Sequence, residues 1–84
     1  MALEAEIGTK LRALEPSRLE VINESHHHAG HSGDDGSGES HWRVVIRAPQ
    51  FAGMSRIARH RAVHGALGED ILSRIHALAI DADA

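Results

Sequence analysis

The sequence predicts an α+β fold with the element order α-β-β-α-β, a three-stranded mixed sheet with helices on one face. Three observations lead there. Two stretches repeat their apolar residues at helical spacing, and others alternate with a period of two. A polar gap separates the first two strands, which are therefore neighbours free to pair antiparallel. About 28 residues containing a helix separate the second strand from the third, which is what a parallel crossover requires.

Each element follows in chain order. Leu3, Ile7, Leu11 and Leu14 form one helical stripe over residues 2–14. Glu4 and Glu6 stand near its start and Lys10 and Arg12 near its end, matching the helix dipole. Pro16 stops it, because the residue before a proline is pushed out of the helical region. Leu19, Val21 and Asn23 alternate with Arg18, Glu20, Ile22 and Glu24 in a short first strand. His41 to Ala48 is the second strand, with Trp42, Val44 and Ile46 on one side and Arg43, Val45 and Arg47 on the other; Pro49 ends it. Ser55 is the N-cap of a helix running to Arg74. Its expected stripe is Ile57, His64, Leu67, Ile71 and Ile75, with Val63 beside it and breaks at Gly65 or Gly68. Ala77 to Asp81 is the last strand.

Size limits what this chain does. Residues 1–84 are read as one domain, which buries only about 60–65% of its unfolded surface and has little room for a deep substrate cleft. Trp42 and Phe51 are the only aromatic residues apart from histidine, so the core rests on Leu, Ile, Val and Ala. There is no cysteine, which excludes a disulfide framework and a self-contained thiolate metal site. No apolar run spans a membrane and no secretory signal opens the chain, so a cytoplasmic location is expected.

Charge is unevenly spread. Residues 1–39 carry eight acids against three bases. Residues 40–68 carry five arginines and no acid, and residues 69–84 are acidic again. Such a partition marks either a solvated face or a surface for an anion, a nucleic acid or an acidic partner. Arg56, Arg59, His60 and Arg61 crowd the first turns of the second helix. No nucleophile–base arrangement stands out, and the neighbouring carboxylates Asp34–Asp35 and Glu69–Asp70 read as solvated. The chain is expected not to be an enzyme.

The segment Ser25 to Ser40 reads SHHHAGHSGDDGSGES, with four glycines, four serines and four histidines. It predicts a flexible loop longer than an ordinary hairpin connection. The loop lies at the start of the second strand. If the third strand runs parallel to the second, His76 at its start lies at the same sheet edge. Six of the eight histidines, His26, His27, His28, His31, His41 and His76, then gather at one end. Imidazole suits zinc, copper and iron. A strand-end histidine bonded to backbone and a solvated loop are the plain alternatives.

Further motifs carry a family resemblance. Asn23-Glu24-Ser25-His26-His27-His28, then Ser40-His41-Trp42-Arg43-Val44-Val45, resemble the BolA family. So do Phe51-Ala52-Gly53, Arg59-His60-Arg61 with Val63, and Ile75-His76-Ala77-Leu78-Ala79-Ile80. The match runs in order from about Ile7 to Ile80. It implies a fold like the type II KH domain. It also implies a non-enzymatic adaptor that binds a monothiol glutaredoxin of the CGFS type and shares a 2Fe-2S cluster with it, in cluster trafficking or iron homeostasis. The partner supplies a cysteine and a glutathione thiol. This side supplies the histidine before the last strand, here His76, and a loop ligand, here His28. The loop is longer and richer in histidine than the family's usual one, and His26, His27, His31 and His41 stand as alternative ligands. Trp42 stands where Phe is common, a change the core is expected to absorb. Imidazole ligation fails on protonation, so the shared complex is expected to weaken below about pH 6.5. The alternative function is a DNA-binding transcriptional regulator using the basic helix. Against it, the connection before that helix has a single glycine rather than the GxxG of KH domains. The same basic face also suits the partner and its glutathione carboxylates. A weak homodimer is the remaining partner expectation.

Overall fold

The computed structural model describes residues 3–25 and 40–84. The order is α1 (Leu3–Leu11), β1 (Arg18–Asn23), β2 (His41–Arg47), α2 (Arg56–Arg74) and β3 (Ala77–Asp83). This is the expected α-β-β-α-β order. A 3-10 turn, Arg12–Leu14, extends α1, and Glu15 closes it in the left-handed region at φ 53° just before Pro16.

The strands lie in the order β1-β2-β3. β1 pairs antiparallel with β2, placing Leu19 opposite Ile46 and Val21 opposite Val44. β2 pairs parallel with β3, placing His41 beside Ala77 and Arg47 beside Asp83. The third strand thus runs two residues past the expected Asp81. Asp81 and Asp83 are exposed on the outer face while Ala82 is buried between them, and the Asp83 carbonyl accepts from the Ala48 N–H at 3.0 Å. Alternation continued through residues of low strand propensity, and pairing with β2 outweighed that propensity.

The core lies between the inner sheet face and the helices. Trp42, Val44 and Ile46 of β2 meet Leu3, Ile7 and Leu11 of α1, with Val63, Leu67 and Ile71 of α2. Trp42 is only 2% exposed, so the core does absorb the indole. The α2 stripe needs correction. Ile57 is 65% exposed and His64 is also exposed. Ile57 and His64 are seven residues apart and share a face, because two turns take 7.2 residues. That face looks outward, and the Val63–Leu67–Ile71 row at spacing four looks inward.

Ser55 caps α2 as expected, its Oγ accepting from the Ala58 N–H at 3.1 Å. Gly68 interrupts the helix with φ 82° and ψ 161°, a region open essentially to glycine. Gly65 stays helical, so of the two glycines Gly68 is the one that breaks the helix. At its far end Arg74 grips Glu6 of α1 with two hydrogen bonds of 2.8 and 3.2 Å. This fastens the end of α2 two residues before His76. The hydrogen-bonded Arg74 guanidinium holds the Glu6 carboxyl below its ordinary 4.5.

Candidate functional site

The parallel pairing of β2 with β3 sets where the site lies. It brings the starts of both strands to one sheet edge, so His41 and His76, 35 positions apart, become neighbours. Their ring centroids are 5.2 Å apart with the planes tilted by 50°. The two rings differ in access. His76 is exposed, whereas His41 is 7% exposed and its Nδ1 lies 2.8 Å from the Ser40 hydroxyl. Among the described residues, no hydrogen bond engages the His76 ring.

Backbone contacts hold this edge firmly. The Ser40 carbonyl accepts from the N–H groups of both His76, at 2.8 Å, and Ala77, at 3.1 Å. The Glu24 N–H donates to the His41 carbonyl at 2.9 Å, and the Ser25 Oγ accepts the His41 N–H at 3.0 Å. Asn23 turns the chain at the end of β1, its Oδ1 accepting from the Ser25 N–H. Ser25 and Ser40 are therefore the two feet of the histidine-rich loop, and they are 4% and 0% exposed. Composition predicts a loop over residues 25–40 without packed structure; its end residues Ser25 and Ser40 are packed, and residues 26–39 lie outside the described residues. His26, His27, His28 and His31 lie outside the described residues, as does the expected gathering of those four at this edge.

No group of three or more His, Cys, Asp or Glu that could hold a metal exists among the described residues. With no thiol in the chain, a sulfide-bridged iron cluster would take its thiolates from elsewhere. The exposed His76 fits a single imidazole ligand on such a cluster.

The basic face forms a second candidate. Arg43, Arg56, Arg59 and His60 line an open groove of about 350 Å³ together with Ile80–Asp83 of β3. Arg43 pairs with Glu24 at 3.0 Å and Arg47 with Asp81 at 3.2 Å. Arg56, Arg59 and Arg61 make no ion pair among the described residues. Arg59 instead donates from Nη1 to the Met54 carbonyl at 2.7 Å, and its Nε is buried without a hydrogen-bond partner among those residues. Arg61 does not line the groove, although its sequence position put it in the same cluster. Sequence reasoning missed the groove's acidic rim, Asp81 and Asp83, because they sit on a strand rather than beside the arginines in sequence.

A family model described as BolA-like protein matches residues 11–84, and the chain belongs to the BolA family. A Sinorhizobium protein of the cobS 5′ region is 54% identical over 83 residues, covering 96% of this chain and 89% of that relative. Human BolA-like protein 1 is 48% identical over 95% of this chain, which spans only 56% of that protein's length. The DNA-binding transcriptional regulator BolA of Escherichia coli is 37% identical over 95% of this chain and 73% of its own. Among solved structures, the BolA domain of SufE1 from Arabidopsis thaliana superposes with a TM-score of 0.82 at 34% identity, covering 99% of this chain and 92% of that one. Mouse BolA1 gives 0.78 at 44% identity, over 99% of this chain and 65% of that one. The two last-named sequence relatives carry the names of a BolA-like protein and a DNA-binding transcriptional regulator.

Proposed function

We propose that this chain is an adaptor that binds a monothiol glutaredoxin of the CGFS type and contributes histidine ligands to a 2Fe-2S cluster held between the two proteins. The observation that carries this reading is His76. It is exposed, its ring is free of hydrogen bonds among the described residues, and its backbone is fixed beside one foot of the histidine-rich loop. The loop supplies the second imidazole, with His28 the residue the family resemblance selects. The partner's cysteine and its glutathione supply the thiolates, which accords with a chain that has none of its own. A fixed ligand paired with a loop ligand suits a site completed only when the partner arrives.

The test is to mix the protein with a CGFS glutaredoxin reconstituted with iron, sulfide and glutathione. A one-to-one complex with an altered visible circular dichroism spectrum is expected. His76→Ala and His28→Ala should each change that spectrum. If both variants reproduce the parent spectrum, the ligand assignment is wrong.

A second reading rests on the groove. Arg56 and Arg59 line it without carboxylate partners, and a relative is named a DNA-binding regulator. In this reading the groove's cations contact DNA phosphates, opposed by Asp81 and Asp83 at the rim. A mobility assay decides it. Arg56→Ala should weaken DNA binding and lower the salt slope by about one. No binding by the parent protein at physiological salt ends the DNA reading.

A further inference from the structure

The loop feet do more than join a loop to two strands. Ser25 and Ser40 are small polar residues buried in a region where a buried hydroxyl must find partners. Each finds them in His41. The Ser25 hydroxyl engages the His41 main chain on both sides, accepting from its N–H at 3.0 Å and donating to its carbonyl at 3.4 Å. The Ser40 hydroxyl meets the ring at Nδ1, and the Ser40 carbonyl uses its two lone pairs on the N–H groups of His76 and Ala77. His76 is thus held twice. Its main chain hangs from Ser40, and its ring rests against the ring of His41, whose Nδ1 the Ser40 hydroxyl meets.

We propose that Ser25, Ser40 and His41 form a buried positioning unit that fixes the mouth of the histidine-rich loop and orients His76 for ligation. The inference rests on His76 being a ligand in the shared site. Its chemistry is that of outer partners in metal sites, which set the orientation of a ligand they do not replace. In this role His41 is a positioning residue and not a ligand, since its ring is buried and one nitrogen is engaged.

The experiment compares Ser40→Ala, Ser25→Ala and Val63→Ala. The last is a core truncation on α2 outside the unit, serving as a stability control. Two quantities are read: the His76 ring resonances of the free protein by NMR, and its affinity for cluster-loaded CGFS glutaredoxin by visible circular dichroism titration. Ser40→Ala should move the His76 ring resonances and weaken affinity by about 10–100-fold. Ser25→Ala should do both to a smaller extent, because it loosens only the His41 main chain. Val63→Ala should lower the melting temperature and leave both readings alone. Unmoved His76 resonances in Ser40→Ala overturn the positioning unit. So does an equal loss of affinity in Val63→Ala. If His76→Ala itself leaves the cluster spectrum unchanged, the ligand reading fails instead, and the resonances of the free protein still decide whether the unit orients His76.

Discussion

At the N-terminal ends of β2 and β3 the protein places two imidazoles; toward their C-terminal ends it places guanidinium groups. His41 and His76 occupy the first end, packed ring to ring over buried serine hydroxyls. Arg56, Arg59 and His60 occupy the second, along an open groove beside Ile80–Asp83. The first end is built for direction. A ligand bond depends on where one nitrogen lies, so the supporting contacts are short, buried and numerous. The second is built for field. Cations attract an anion over a distance close to the Debye length, about 8–10 Å in ordinary salt, and need no single geometry. The two ends share one sheet and one helix, and that helix begins at the cationic end and finishes just before His76. Any coupling between them runs through β2 and β3, through α2 and through the core between sheet and helix.

The largest effect expected tests that shared core. Leu67→Ala should cost about 2–5 kcal/mol, since it empties a buried position in the core. Trp42 sits at the imidazole end and Phe51 just past the other end of β2, so the two aromatic residues are natural probes. Urea unfolding followed by Trp42 fluorescence and by the Phe51 ring resonances should give coincident curves. Separate midpoints would make the two ends independent units.

Next comes the kink that joins them. Gly68→Ala should destabilise by about 1–3 kcal/mol, because its φ of 82° excludes a side chain without strain. Gly65→Ala should act in the opposite direction and stabilise by about 0.5–1 kcal/mol, as it lies in regular helix with open space where a Cβ would stand. Thermal melts of the two variants measure this contrast, and equal signs would mean that the kink is not fixed by Gly68.

A smaller change is expected at the cationic end alone. Ser55→Ala removes the cap of α2 and should cost about 1 kcal/mol. Hydrogen exchange should quicken at Ala58 while the His76 resonances stay in place. Movement of those resonances would reveal coupling along α2.

The smallest expected effect concerns the Arg74–Glu6 grip near the imidazole end. The folded Glu6 carboxyl titrates below its ordinary 4.5, so its contribution to stability is present above 4.5 and lost as pH falls through the folded value. Glu6→Gln should flatten that part of the acid-unfolding curve, and added salt should do the same because the pair is exposed. An acid limb identical in parent and variant would remove the grip from the account of how α2 ends.

Much of this architecture was legible from residue patterns. The alternation of Trp42, Val44 and Ile46 identified the inner face of β2, and Ser55 identified the start of α2, because both signals are local. The α2 stripe that the spacing predicts through Ile57 and His64 differs from the buried row Val63–Leu67–Ile71. Periodicity alone assigns a phase to a helix, but it is the packed neighbour that selects which phase turns inward. The third strand was cut short at Asp81 for a related reason: local propensity opposes Asp and Ala in a strand, and only pairing with β2 overrides it.

The sequence by itself determined the order of elements and the family. Those rest on local spacing, composition and motif order, which every residue carries with it. Topology reasoning placed His76 at the loop's edge, but only the tertiary structure decided that His41 is buried against it while His76 stays exposed. Only the fold turned Ser25 and Ser40 from ordinary loop residues into the fixed feet of that loop. The physical reason is that nothing in the sequence around these two serines signals their burial. Once buried, a serine hydroxyl must bond, and its partner is whatever the sheet register brings within reach.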